Sequence, residues 1–123
     1  MIYTVTPNPA LDITWGVPGW ERGSTTRVTD IMESPGGKGL NVARVADQLG
    51  ASACALGPLG GATGERVREL FASLAPRVKT RWIASPVPTR RSVALVDEQV
   101  SIFNEAGQAP PREVWSRCAE SLA

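Results

Sequence analysis

The sequence contains no histidine and only two cysteines among its 123 residues. Without histidine, the chain has no Ser-His-Asp triad, no Cys-His pair and no zinc site with histidine ligands. It also lacks an apolar run long enough to span a bilayer, and the N-terminus does not have the charge and apolar pattern of a signal peptide. We therefore expect a cytoplasmic protein with no membrane partner, whose chemistry depends on carboxylates, lysine, arginine and backbone amides.

An excess of charge of one sign is missing as well. The 13 Lys and Arg residues nearly balance the 12 Asp and Glu residues, giving a formal net charge of +1, so the overall field does not indicate a nucleic-acid partner. The hydrophobic fraction of 42% is typical of one globular domain with a single core. Cys54 and Cys118 lie far apart among apolar or helical neighbours. Two buried free thiols are the favoured interpretation, with a disulfide as the alternative.

Hydrophobic patterning predicts strands and helices in alternation. Val42, Val45, Ala46 and Leu49 recur at helical spacing and predict the buried stripe of a helix over residues 38–49, ended by Gly50. This alternation indicates a parallel α/β sheet flanked by helices. The other predicted elements are strands at 1–6, 51–56 and 78–84, a helix marked by 67–74, and a third helix after Pro110-Pro111.

Two segments depart from this alternation. Residues 12–33 and 92–104 read as strands with no helix between them, and they predict a small antiparallel layer beside the parallel sheet. We expect one domain over 1–123, with three core strands and no further strand after the last helix. An α/β sheet of this size leaves an apolar edge unpaired, so we expect the domain to be incomplete.

The segment most informative about function is Ser34-Pro-Gly-Gly-Lys-Gly-Leu-Asn41. Closely spaced glycines let the backbone approach a ligand, and the helix that begins there contributes its positive end. Lys38 adds a full charge, and Asn41 lies one turn further on the same side. These features predict a site for an anion, or for a polyol that carries one. The alternative is a plain turn with an exposed lysine.

A second glycine-rich loop, Gly57–Gly64, lies between a predicted strand and a predicted helix. Its glycines do not have the spacing of a dinucleotide-binding fingerprint, and the first loop lacks the spacing of a phosphate-binding P-loop because Gly39 follows Lys38. We interpret Gly57–Gly64 as a tight connection between strand and helix.

These motifs resemble those of a known family. Thr4 to Asp12 resembles the opening strand and loop of the 1-phosphofructokinase and tagatose-6-phosphate kinase branch of the PfkB (ribokinase-like) carbohydrate kinases. Pro35 to Ala43 resembles the first signature of that family, in the Gly-Gly-Lys-Gly form of the same branch. The resemblance covers essentially the whole chain. It implies the N-terminal portion of a ribokinase-like three-layer α/β fold, with a small antiparallel β lid over the sugar.

The resemblance also implies roles for individual residues. Asp12 would accept hydrogen bonds from sugar hydroxyls, although a turn-capping aspartate is the alternative. Lys38 and Arg90 would contact the phosphate, although Arg90 also reads as an edge-strand charge. We interpret Arg27, Arg91 and Glu105 as surface charges and Asn8 as a turn residue. The full set of expected sugar-binding residues is Asp12, Gly36, Gly37, Lys38, Asn41 and Arg90.

The family's catalytic base, in a later Gly-Ala-Gly-Asp type of motif, does not occur in this sequence, so no catalytic residue or metal ligand is expected here. The resemblance implies ATP and Mg²⁺ as cofactors, with sites mostly outside these residues. We expect part of an ATP-dependent kinase that converts fructose 1-phosphate to the bisphosphate, inactive as 123 residues. The alternative is a non-catalytic module that binds sugar phosphate or forms a homodimer through its lid.

Overall fold

The computed structural model describes all 123 residues, which form two β-sheets and three helices. None of the helices is long and apolar enough to cross a membrane. In chain order the elements are β1 (Ile2–Val5), β2 (Ala10–Gly16), β3 (Asp30–Gly36), α1 (Lys38–Gln48), β4 (Ala53–Leu59), α2 (Gly61–Leu74), β5 (Lys79–Ala84), β6 (Arg90–Val96), β7 (Val100–Asn104) and α3 (Arg112–Leu122).

The first sheet is parallel, with the order β1-β4-β5. Every residue of the central strand β4 is buried. Successive side chains of a strand point to opposite faces, so β4 carries two apolar surfaces. On one face Ala55 packs in a core cluster with residues of α1 and α2, and on the other Leu56 packs against Val114 and Cys118 of α3. This confirms the predicted parallel sheet flanked by helices. Cys54 and Cys118 are buried free thiols, as favoured.

The second sheet, which we call the lid sheet, has the order β3-β2-β6-β7. The sequence predicted an antiparallel layer, but this sheet is mixed. β2 pairs antiparallel with β3, and β6 pairs antiparallel with β7, whereas β2 and β6 are parallel. The reason is the route of the chain. β1 and β5 end at the same edge of the parallel sheet, and β2 and β6 follow them after short connections, so both run away from that edge in the same direction.

The second strand of the predicted segment 12–33 extends further along the chain than expected. β3 begins at Asp30 and continues through Pro35 and Gly36. Pro35 fits there because β3 is an edge strand, where a residue without an amide proton removes no bond from the interior of the sheet. The predicted segment 92–104 forms a hairpin around Asp97–Gln99 that joins β6 to β7.

Helix α1 buries a largely different face from the predicted one, and of the predicted stripe only Ala46 packs against the core. Leu40 and Ala43 are its buried residues, whereas Val42, Val45 and Leu49 are 54%, 45% and 82% exposed. The buried face is determined by how closely α1 approaches β1. A Cβ added to Gly39 would lie 2.8 Å from the carbonyl oxygen of Val5. The face that carries Gly39, Leu40 and Ala43 therefore packs against the sheet, and Val42 and Val45 face outward.

Candidate functional site

The glycine turn ahead of α1 has no room for side chains. Gly37 has a φ of 137°, which favours glycine, and a Cβ there would lie 2.5 Å from Cγ2 of Thr6. Gly37 is also the residue at the N-cap of α1, and it offers no side-chain hydrogen bond to the first turn. The first backbone amides of α1 are therefore left available to a ligand at the positive end of the helix.

Lys38 and Asn41 lie in this first turn. Both residues are exposed, and neither side chain makes a hydrogen bond or ion pair within the chain. No acidic residue occurs in the first turn of α1, so nothing nearby on the helix neutralises the ammonium group. The structure therefore places the Lys38 ammonium and the Asn41 amide beside the positive end of the helix.

Asp12 lies in the middle of β2, half-buried, and its carboxylate covers Gly36 on the neighbouring strand. A Cβ added to Gly36 would overlap the carboxylate oxygens. Burial raises the pKa of the Asp12 carboxyl above its ordinary value, and the positive charge of Arg90 partly offsets that rise. A partly desolvated carboxylate is a strong acceptor for hydroxyl protons, because fewer water molecules compete for its oxygens.

Arg90 is the first residue of β6, and pairing brings it beside the other predicted residues. In the lid sheet, Ala10 is the register partner of both Gly36 and Arg90. The Arg90 Nε donates a hydrogen bond to the carbonyl oxygen of Asn8 over 3.3 Å. Its terminal nitrogens make no hydrogen bond within the chain, so the forked end of the guanidinium is free to bind an anion.

Asn8 has a role that the sequence did not reveal. Besides accepting the bond from Arg90, it donates from Nδ2 to the carbonyl oxygen of Ala106 over 3.3 Å. Gly107 packs beside Arg90, and its φ of 79° is one that favours glycine. The loop after β1 and the loop after β7 thus hold the Arg90 side chain between them. Only the position of Asn8 beside the predicted strand end could have suggested this.

The second glycine-rich loop holds the strand that carries Arg90. The Gly60 amide donates to Oγ1 of Thr89 over 3.1 Å, and the Thr89 amide donates to the carbonyl oxygen of Gly60 over 2.9 Å. The Thr63 hydroxyl also donates to the carbonyl oxygen of Thr89, over 2.6 Å. The loop connects β4 to α2, as interpreted from the sequence, and these three bonds attach it to Thr89.

Arg91 and Glu105 form an exposed ion pair of 2.8 Å, and the Glu105 carboxylate also accepts the Arg91 amide. Pairing raises the pKa of Arg91 and lowers the pKa of Glu105. An ion pair in this setting adds little stability, but it fixes the beginning of β6 next to the end of β7. This agrees with the interpretation of these residues as surface charges.

Two surface cavities lie close to these elements. One, of about 440 Å³, is lined by Arg90 and polar neighbours that include Thr63, Thr89 and Gln108. A larger one, of about 580 Å³, lies between α2 and the free edge of β5 and contains none of the predicted sugar-binding residues. We give more weight to the first because charged and hydroxyl groups converge there. No group of three or more Cys, Asp or Glu side chains is placed to hold a metal ion.

Comparison with known proteins gives one family match and several similar structures. The family model described as pfkB family carbohydrate kinase matches residues 9–115. Escherichia coli phosphofructokinase-2 in complex with fructose-6-phosphate superposes with a TM-score of 0.89 at 32% identity, over 98% of this chain and 40% of that one. A Staphylococcus aureus protein assigned as a phosphofructokinase gives 0.90 at 29% identity, over 99% and 39%. A Thermotoga maritima protein assigned as a 1-phosphofructokinase gives 0.87 at 27%, over 98% and 40%. The chain thus spans about 40% of their length.

Proposed function

This chain belongs to the pfkB family of carbohydrate kinases, and on that premise we propose that it forms the sugar-phosphate half of the active site of a hexose-phosphate kinase. The acceptor substrate in this proposal is fructose 1-phosphate. The observation that carries the proposal is the meeting of three groups at the base of the lid sheet: the Asp12 carboxylate over Gly36, the uncapped start of α1, and the free guanidinium fork of Arg90.

The two ends of a sugar phosphate need different partners. Asp12 accepts hydrogen bonds from hydroxyl groups of the sugar, and Asn41 offers both a donor and an acceptor nearby. Gly36 and Gly37 let the ring approach the backbone, since no side chain fits at either position. This assigns the uncharged part of the substrate to the face where Asp12 meets the glycine turn.

The phosphate group needs concentrated positive charge. Lys38 supplies an ammonium group without a partner in the chain, and Arg90 supplies two terminal nitrogens in a fork that fits a phosphate. The preference for fructose 1-phosphate rests on the Gly-Gly-Lys-Gly form of the turn, which resembles that of the 1-phosphofructokinase and tagatose-6-phosphate kinase branch. Fructose 6-phosphate and tagatose 6-phosphate are the competing substrates to test.

ATP and Mg²⁺ are the phosphoryl donor and metal in this proposal. The residues of the chain do not form a metal site, because no three acidic or thiol side chains are placed to hold one. The Gly57–Gly64 loop lacks the glycine spacing of a dinucleotide site, and its Gly60 backbone and Thr63 hydroxyl are bonded to Thr89. The part of the site described here therefore binds and orients the sugar phosphate, in the cytoplasm, and leaves phosphoryl transfer to other residues.

A second candidate function is assembly through the lid sheet. Ile31, Met32, Ile102 and Phe103 are between 57% and 67% exposed, although all four lie within strands of this sheet. Met32 and Ile102 share one face of the sheet, whereas Ile31 and Phe103 lie on the other, all on its two edge strands. Exposed apolar side chains on edge strands are typical of a protein–protein interface. We propose that the lid sheets of two copies of the chain pair to form a homodimer.

Calorimetric titration of the 123-residue chain with fructose 1-phosphate tests the first function. We expect binding by the wild type and by Asp30→Asn, whose carboxylate lies at the outer end of the lid sheet, and loss of binding in Asp12→Ala. With ATP and Mg²⁺ added, phosphorylation should not exceed that of Lys38→Ala, because no residue here takes the hydroxyl proton. Equal binding by Asp12→Ala, or clear turnover by the wild type, would contradict the proposal.

A further inference from the structure

Asp12 is one member of a polar row that crosses all four strands of the lid sheet. Its register partner on β3 is Ser34, its partner on β6 is Ser92, and the partner of Ser92 on β7 is Asn104. Partners in register point to the same face of a sheet, and neighbouring strands lie about 4.8 Å apart. The side chains of Ser34 and Ser92 therefore flank the carboxylate on the face where it covers Gly36.

On this face, the level of Asp12 is the one at which all four strands contribute a polar side chain. The next row outward on the same face contains Met32, Thr14, Ala94 and Ile102, which are mostly apolar. On the opposite face, Val93 and Phe103 occupy the position adjacent to Ser92 and Asn104. Four adjacent polar side chains at the level of Asp12 offer several hydrogen-bonding groups to one polyol.

The hydrogen bond between Ser92 and Asn104 sets what this row presents to a ligand. The Ser92 hydroxyl donates to Oδ1 of Asn104. Its proton is therefore used, and its oxygen is left as an acceptor. Asp12 is an acceptor as well when ionised. The two side chains thus present neighbouring acceptors, which match two hydroxyl protons of one polyol.

Ser92 is also close to the residue proposed to bind phosphate. It lies two positions after Arg90 on β6, and the two side chains therefore share a face of the strand. A sugar phosphate held by Arg90 and Asp12 consequently extends along Ser92. Ser34, on the other side of Asp12, has neither this proximity to Arg90 nor a partner that orients its hydroxyl.

We propose that Ser92 binds a second hydroxyl of the sugar phosphate, adjacent to the hydroxyl at Asp12, and that Asn104 is a positioning residue that keeps the Ser92 oxygen an acceptor. This inference rests on the proposed sugar-phosphate function and extends it, because it makes the arrangement of two hydroxyls a determinant of specificity. Sugars that lack the second hydroxyl bind without help from Ser92.

The test measures binding of fructose 1-phosphate by calorimetry to Ser92→Ala, Asn104→Ala and the double variant. Ser101→Ala is the matched control, because Ser101 lies on β7 but on the opposite face. We expect Ser92→Ala to weaken binding about three- to tenfold and Ser101→Ala to leave it unchanged. Asn104→Ala should weaken binding only when Ser92 is present, so the double variant should bind like Ser92→Ala. Thermal unfolding confirms that each variant is folded.

Deoxy analogues of fructose 1-phosphate identify the hydroxyl. One analogue should bind the wild type more weakly than the parent sugar and should bind Ser92→Ala as well as it binds the wild type. If the Ser92→Ala variant binds every sugar like the wild type while the Asp12→Ala variant loses binding, this inference is overturned and the proposed function stays intact. A wild type that binds no sugar phosphate would overturn both. Additive losses from Ser92→Ala and Asn104→Ala would remove Asn104 from the positioning role.

Discussion

The carboxylate of Asp12 lies directly against the Cα of Gly36, on the adjacent strand of the lid sheet. The carboxylate can occupy this position only because residue 36 has no side chain. The same absence brings the backbone of the glycine turn close to the carboxylate. The packing that holds the Asp12 carboxylate in place therefore also holds the backbone of the glycine turn close to it.

Gly36→Ala should destabilise the fold by about 1–3 kcal/mol, because the added methyl group overlaps the Asp12 carboxylate. Removing that carboxylate with Asp12→Ala should restore most of the lost stability in the double variant. Binding of fructose 1-phosphate should be lost in both single variants and should not return in the double one. Urea unfolding measures the first effect and calorimetry the second. A double variant as unstable as Gly36→Ala would show that the overlap lies elsewhere.

Arg90→Ala should weaken binding of fructose 1-phosphate by about 1.5–3 kcal/mol, because a charge-assisted contact to the phosphate is lost. Binding of unphosphorylated fructose should change far less. Arg91→Ala is the control, since its side chain is paired with Glu105 and lies on the opposite face of β6. Competition assays with both ligands provide the measurement. Equal losses for the two sugars would exclude Arg90 from the phosphate site.

The pH dependence of stability should report the raised pKa of the Asp12 carboxyl. Burial raises its pKa above the ordinary 3.8, so the folded chain holds this proton more tightly than the unfolded chain. The contribution of the Asp12 carboxyl to the free energy of unfolding is therefore greatest in acid. It decreases as pH rises from the unfolded-state pKa through the raised folded-state pKa. Asp12→Asn removes the charge and should gain stability relative to the wild type across that window.

Urea unfolding of the two proteins from acid to neutral pH measures this difference. Binding of fructose 1-phosphate should change in the opposite direction, increasing with pH as the Asp12 carboxylate ionises. A constant stability difference between wild type and Asp12→Asn would mean that burial does not perturb this carboxyl.

Assembly through the lid sheet should respond to charge at its exposed apolar residues. Phe103→Lys should convert a homodimer into a monomer, because a charge at an apolar interface is costly to bury. Leu49→Lys is the control, since Leu49 is 82% exposed but lies beyond the end of α1, away from the lid sheet. Sedimentation velocity distinguishes the two states. A wild type that sediments as a monomer at every concentration would argue against the dimer.

The sequence predicted the glycine turn, Lys38 and the strand that begins at Arg90, because these depend on local residue types. It placed the buried face of α1 wrongly, since the apolar spacing of Val42, Val45 and Leu49 does not show how closely Gly39 lets the helix approach β1. The parallel pairing of β2 with β6 also escaped prediction. That pairing joins residues about 80 positions apart, and no local signal encodes it.

Asn8 shows a similar limit. Turn residues between prolines are common, and only the three-dimensional arrangement reveals that Asn8 contacts both Arg90 and Ala106. The polar row through Ser92 and Asn104 likewise depends on the strand register, which is set by pairing across the whole sheet. Contacts between distant segments therefore account for most of what the sequence did not indicate.

The parallel pairing of β2 with β6 has a geometric consequence. Asp12 and Arg90 lie on two strands joined directly by backbone hydrogen bonds. The spacing between the carboxylate and the guanidinium is therefore set by the strand register. A ligand that binds both groups must match this fixed span.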